Sequence, residues 1–243
     1  MKHLKVFIIA MILCASSACT KIQNGGNGQV LFEVASRLDV MDVTKSAVSD
    51  YTMLPSAGDF NITIKDSKSE TVWSGKISEW LPSTLLTAGS YSVEASYGSL
   101  EEEGFDKPYF AGSQNFTVKG GSSVPVSIPV SLGNTIVKVV CSESFMNYYK
   151  DYTFKLTRNN AEVAVFEKGE SKAAFIDGYL IQVEGVLTSE TKTQNFSAEY
   201  KGLDEATAYT LNFDAPNVGG SSITISFNDT VEEIELGNYE LND

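Results

Sequence analysis

The chain has 243 residues, 42% of them hydrophobic, and carries 31 acidic against 18 basic side chains for a formal net charge of −13. That is enough apolar material for one or two small cores, and too acidic a surface to attract phosphate backbones or anionic headgroups, so nucleic acid is excluded as a natural partner. Its single histidine, His3, and two of its basic residues, Lys2 and Lys5, lie in the first few residues.

Those residues begin a secretory leader. Lys2 and Lys5 precede the apolar run from Val6 to Leu13, which is too short to span a bilayer, and CASSAC follows with small residues ahead of a cut site. The order Ser16-Ser17-Ala18-Cys19 resembles a bacterial lipobox, with Ser16 where an aliphatic residue is usual. On that resemblance residues 1–18 are removed, Cys19 is lipidated, and the membrane partner is reached through the lipid anchor. The alternative is cleavage near Ala18 with no lipid. The exported chain then carries 16 basic against 31 acidic residues and no histidine, which removes histidine-based triads, Cys-His dyads and most transition-metal sites. Cys14 goes with the leader and Cys19 is acylated, so Cys141 stands alone and reads as a small core residue near a strand end.

Residues 19–29, rich in glycine and polar side chains, form a flexible tether. VLFEVASRL then opens the first strand, and Asp39 to Met53 is expected to hold a loop or helical turn. In FNITIKD, Phe60, Ile62 and Ile64 alternate with polar residues, as strands with one wet face do. TVWSG around Trp73 continues the series, and Pro82 breaks ISEWLPSTLLTAG into a short helix or irregular crossover.

The stretch from Ala88 to Val130 gives the clearest signals. Tyr91, Val93, Ala95 and Tyr97 share one face of a strand, Phe116 and Val118 alternate in the next, Gly120-Gly121 opens a hairpin turn, and Val124, Val126, Ile128 and Val130 alternate again. Pro125 and Pro129 cannot donate to a ladder, which marks that strand as an edge or bulged strand.

From Asn134 onward come short strands with turn signals about every 8 to 12 residues and no sustained helical period, apart from one helical turn at FMNYYKD. The pattern predicts an all-β protein of two tandem antiparallel β-sandwich domains, 30–132 and 133–243. The two halves share an order: Asp50-Tyr51-Thr52 and Asp151-Tyr152-Thr153, then a strand led by Gly89 or Gly178-Tyr179, then Gln114-Asn115-Phe116 and Gln194-Asn195-Phe196. That order suggests a duplication.

The segments AGSYSVEASYG, GFDKPYFAG, NFTVKGG, VPVSIPVSLGNTIVKVV and SESFMNYYKDYTF together resemble a family of Bacteroidetes lipoproteins known only as a domain of unknown function. The resemblance covers most of the chain from about Val30 and implies tandem immunoglobulin- or transthyretin-like sandwiches anchored to the envelope, with no assigned activity. Where that family often has cysteine before the Leu-Gly-Asn junction, this chain has Pro129. In the fimbrillin lipoproteins of the same phylum an arginine near the first strand is cut so that a neighbour's strand can enter. Arg37 lies in the corresponding region and VEEIELGNYEL could donate such a strand, although an ordinary exposed arginine is the commoner case. Asp229-Thr230-Val231 resembles the O-glycosylation triplet of that phylum, with Thr230 as the acceptor.

Candidate chemistry is sparse. Glu101, Glu102, Glu103 and Asp106 form the densest carboxylate cluster and could hold calcium, although their spacing is not that of an EF-hand and adjacent loop carboxylates are commonly just solvated. Tyr109 and Phe110, with Tyr97, Phe105, Trp73 and Trp80 nearby, could stack on sugar faces if exposed together; buried sandwich aromatics are the commoner case. Ser189-x-x-Lys192 matches a hydrolase spacing without its companion motifs and reads as a loop. No cofactor is implied. The expectation is a non-catalytic outer-membrane lipoprotein that binds or displays, in a leaflet left open, with other envelope proteins or glycans as possible partners. A fimbria-type subunit assembling by strand exchange and a glycan-binding accessory protein are the alternatives.

Overall fold

The computed structural model describes residues 25–37, 46–215, 222–227 and 230–235. Its first eight strands are β1 (Asn27–Arg37), β2 (Asn61–Asp66), β3 (Thr71–Lys76), β4 (Leu85–Thr87), β5 (Gly89–Tyr97), β6 (Gly104–Phe105), β7 (Phe110–Val118) and β8 (Ser123–Leu132). After a short junction follow β9 (Thr135–Cys141), helix α1 (Glu143–Tyr148), β10 (Asp151–Arg158), β11 (Ala161–Glu167), β12 (Ala174–Ile176), β13 (Leu180–Thr188), β14 (Thr193–Lys201), β15 (Ala208–Asp214), β16 (Ser222–Phe227) and β17 (Thr230–Glu235).

The protein is all-β and built as sandwiches. Seven strands form one sheet in the order β3-β2-β5-β7-β8-β1-β4, which folds over so that its two wings share a core. Phe32 of β1 meets Phe116 of β7 edge-on across that core at 5.9 Å, and Trp80 from the other side at 5.2 Å. The remaining strands form a four-stranded sheet, β11-β10-β13-β14, facing a six-stranded sheet, β17-β16-β15-β9-β12-β6. Phe154 of β10 stacks on Phe213 of β15 at 4.0 Å between them. Alternation places the core as the sequence pattern predicts: Val93 and Ala95 are buried in β5, and Val126, Ile128 and Val130 in β8.

The strand order is repeated. β3-β2-β5-β7 corresponds to β11-β10-β13-β14, and β8-β1-β4 to β15-β9-β12. Gln114-Asn115-Phe116 and Gln194-Asn195-Phe196 fall on equivalent strands, β7 and β14. The Asp-Tyr-Thr match does not survive: Asp50 closes a 3-10 turn, Val48–Asp50, whereas Asp151 starts β10. Pro55 and Gly58 follow the first triplet, while an alternating run follows the second.

Among the described residues two pairings are parallel, β1 with β8 and β9 with β15, because in each unit a later strand returns to lie beside the strand that opened it. The expected hairpin around Gly120-Gly121 is also different. β7 and β8 pair only at Phe110↔Leu132, Ala111↔Ser131 and Gly112↔Val130, far from the turn, and then diverge into opposite wings. FMNYYKD does form a helical turn: Ser142 caps α1 by accepting from the Phe145 backbone N–H at 3.1 Å. The crossover at Ile77–Glu79 is a 3-10 turn that leads to β4.

Candidate functional site

The carboxylate and aromatic loop between β5 and β7 is the sequence's foremost candidate, and the structure spends it on joining the two units. Gly104 and Phe105 form β6, which leaves the first unit and pairs antiparallel with Ala174 and Phe175 of β12. Gly104 sits at φ +119° with its α-carbon against the Val163 carbonyl, a backbone state and an approach that a side chain would forbid. Phe105 meets Phe166 edge-on at 5.0 Å, inside the second unit.

Three of the four acidic side chains turn to different partners. Glu103 accepts from Arg158 Nε at 2.7 Å and from the Asp177 backbone N–H at 2.7 Å. Its side chain is only 13% exposed and that of Arg158 26%, so the pair is partly shielded from water. The hydrogen bond to Glu103 pushes the Arg158 guanidinium above its ordinary range. Asp106 pairs with Lys172 at 2.6 Å, and Glu102 with Lys107 at 2.8 Å, the latter bond holding the Glu102 carboxyl below its usual value. Glu101 is exposed. The proposed calcium cluster is therefore corrected: among the described residues no three acidic, cysteine or histidine groups converge, because cations of the second unit draw two of these four carboxylates apart.

The glycan face at Tyr109 and Phe110 is corrected too. Phe110 is 1% exposed, packed near Phe60 in the first core, and Trp80 is 7% exposed with its indole N–H donating to the Val30 carbonyl at 2.9 Å. Tyr109 is half-buried. Its ring lies over Gly133, its carbonyl accepts from the Gly133 N–H at 2.8 Å, and its N–H donates to Asn134 Oδ1. The Leu-Gly-Asn junction thus holds the end of the loop. Cys19 lies outside the described residues; Arg37 and Thr230 are placed only as backbone, in β1 and β17.

Cys141 is half-buried beside Tyr152, and burial pushes its thiol up to about 11 and the Tyr152 hydroxyl up to about 12. Such a thiol is protonated at neutral pH and is not a nucleophile.

A cleft of about 550 Å³ lies elsewhere, at one end of the second unit, lined by Ser144, Asn147, Tyr148 and Lys150 around α1 and by 189–191 of the β13–β14 turn. The turn is closed by Ser189 N–H to the Lys192 carbonyl at 2.9 Å, and Lys150 N–H donates to the Thr188 carbonyl at 2.8 Å, so both walls are tied together. The Ser144 hydroxyl, with that of Ser142, donates to Asp214, and these bonds, Ser142 first, hold the Asp214 carboxyl below its usual range. Sequence reading passed this site by. Its only signal is that the FMNYYKD helical turn is rich in aromatic residues and the turn Ser189-Glu190-Thr191-Lys192 is wholly polar.

A family model described as a domain of unknown function (DUF4493) matches residues 26–237, and the chain belongs to that family. No curated protein matches. Among solved structures, the chain is similar to a proposed cell adhesion protein from Bacteroides fragilis, at 10% identity and TM-score 0.47 over 83% of this chain and 97% of that one. It is similar to a fimbrial assembly protein from Parabacteroides distasonis, at 8% identity and TM-score 0.46 over 86% and 99%. A proposed polysaccharide-binding protein from Bacteroides thetaiotaomicron matches at 11% identity and TM-score 0.43 over 86% and 98%. Such values carry neither activity nor ligand across.

Proposed function

We propose that this member of the DUF4493 family is a non-catalytic binding or display protein of the cell envelope, held at the outer membrane by lipidated Cys19, with one sandwich on each side of a boundary at Leu132 and Gly133. The seam carries the reading. The residues best suited to chemistry, Glu103, Phe105 and Asp106, are used to lock one sandwich to the next through β6, Arg158 and Lys172. A locked pair presents its far end at a fixed distance and angle from its tether, which suits display more than turnover. The acidic surface favours attachment through lipid over a basic patch. Protease treatment of intact cells tests this, with Cys19→Ala alongside. The parent should be shaved from whole cells and the variant released in soluble form; a parent protected until the outer membrane is opened refutes surface display, and retention of the variant refutes the anchor.

Strand exchange is the second reading, and β1 favours it. β4 covers only Asn27 to Gln29 on one side of β1 and the Trp80 indole takes the Val30 carbonyl, so among the described strand pairings Leu31 to Arg37 bond to β8 alone. A strand from another copy would fit along that edge. Ladders in unboiled gels that Arg37→Ala abolishes would support processing-linked assembly, and ladders indifferent to Arg37→Ala would refute the role of that residue.

A further inference from the structure

The cleft between α1 and the β13–β14 turn is built from groups that fit one ligand chemistry, and we infer that it binds a neutral saccharide. This rests on the non-catalytic reading above. Tyr148, half-buried against the second core, lines the cleft wall and meets Tyr149 edge-on at 4.8 Å and 88°, which leaves at least one face of its ring untouched by that neighbour. Tyr149 is itself 2% exposed and anchored against Phe145 in the second core, so the wall is rigid. Beside the ring, the Asn147 amide and the Thr191 hydroxyl form no hydrogen bond among the described residues, and both residues are exposed. An aromatic face flanked by free amide and hydroxyl groups matches a sugar ring, with one C–H-rich face and equatorial hydroxyls.

Charge selects among hydroxyl-rich ligands. Lys150 and Glu190 are 3.6 Å apart and offset each other, so the cleft offers no unpaired ion to a charged ligand. The surrounding protein, at −13, repels polyanions. A volume of about 550 Å³ falls within the range of ordinary small-ligand pockets and suits a short stretch of a polymer passing through.

The test is affinity electrophoresis of the purified exported chain through native gels containing mannan, amylopectin or arabinoxylan, with polygalacturonate as the anionic control. At least one neutral polymer should slow the protein, with little effect of added salt. Tyr148→Ala, Asn147→Ala and the cleft-filling Thr191→Trp should each weaken that retardation about fivefold or more. Tyr109→Ala should leave it unchanged. Thermal melts identify any variant that has lost its fold, and Asn147 and Thr191, being exposed, keep the test valid if Tyr148→Ala does not fold. No retardation by any neutral polymer overturns the inference, as does retardation that survives Thr191→Trp and Asn147→Ala. Retardation by polygalacturonate that salt abolishes, or binding only to a peptide partner, overturns it as well. Because the protein is purified, failure here leaves the envelope reading standing, and protection on intact cells would leave the cleft standing.

Discussion

In the first unit the strand β8 pairs with β1 from Ser123 to Ser131, while on its other side only Val130 to Leu132 are taken, by β7. The equivalent strand of the second unit, β15, pairs with β9 in the same parallel manner, but its other side receives β16, and β17 extends the sheet further. The two units thus meet the same problem, a row of unpaired backbone groups beside the last strand, in different ways. The second adds strands. The first uses Pro125 and Pro129: the uninterrupted ladder to β1 draws its donors from the alternate residues Val124, Val126 and Ile128, so the prolines and Ser127 turn their backbone outward, where two of three N–H donors are missing. A strand order that occurs twice needs its core pattern twice, and each unit can protect its edge by its own means.

The sharpest way to break the first unit is at the point where β7 and β8 cross. A Cβ at Gly112 would lie 1.8 Å from the Pro129 carbonyl oxygen, and backbone cannot step aside. Gly112→Ala should cost on the order of 3 kcal/mol or more in urea unfolding. In the second unit the tightest glycine is Gly185, whose Cβ would meet the Phe196 ring at 1.8 Å. The equivalent ring, Phe116, is opposed by Tyr91 and stacks on it at 5.5 Å, so one Gln-Asn-Phe motif is satisfied by two different partners. A side chain can yield where backbone cannot. Gly185→Ala should cost about 2 kcal/mol, and Phe196→Leu in the same chain should restore part of it. Equal losses at the two glycines, or no rescue, would show that the crossing is not the rigid point.

Next in size is the seam. Glu103→Ala removes the partner of a shielded guanidinium and of the Asp177 N–H together, a loss of about 2 kcal/mol. Asp106→Ala removes an ion pair whose two side chains are each 55% exposed and screened by water, and should cost far less than Glu103→Ala. Similar losses from both would mean that β6 pairing and Phe105 hold the units together without help from Glu103.

How much of this was legible follows from range. Alternation is local, so the strands β5, β7, β8 and the core residues along them could be read directly, as could the edge character that Pro125 and Pro129 impose. Pairing is not local. Arg158 and Lys172, which claim Glu103 and Asp106, stand 55 and 66 residues further along the chain, and no local pattern in EEEGFDKP announces them. The loop's acidity was visible, but its purpose was not, because a carboxylate waiting for an arginine and one waiting for a metal look alike in sequence. The parallel neighbours of β1 and β9 were hidden for the same reason, and the cleft at Tyr148 depends on two turns that meet only after β10 and β13 have paired.

A smaller effect on stability, but a clear one on association, is expected at the proline edge. Pro125→Val restores a donor on the open side of β8 without touching the buried face, since Pro125 is exposed and lies away from the crossing at Gly112. The variant should show a larger weight-average mass than the parent at equal concentration in sedimentation, with a nearly unchanged melting temperature. An unchanged mass would mean that shape, not missing donors, protects this edge, and the contrast with β15 would lose its chemical basis.

The smallest effect at neutral pH belongs to Cys141, which tests whether the end of β9 stays packed. Burial raises its thiol from 9.0 to about 11, so the folded protein holds that proton more tightly than the unfolded chain does. A group with a raised folded-state value contributes its full stabilisation below the unfolded value and loses it as pH rises through the folded one. The parent should therefore lose stability relative to Cys141→Ser between about pH 9 and pH 11, and the two should run parallel below that window. Tyr149, raised to about 12, adds a loss of the same sign at higher pH to both proteins alike, whereas Tyr152, also raised to about 12, owes part of its rise to Cys141, so the difference reports the thiol together with its effect on that hydroxyl. Alkylation should agree: iodoacetamide at pH 8 should label native Cys141 far more slowly than the urea-unfolded chain. Rapid labelling of the native protein would place the thiol in water, and the packing of Cys141 against Tyr152 would have to be abandoned with it.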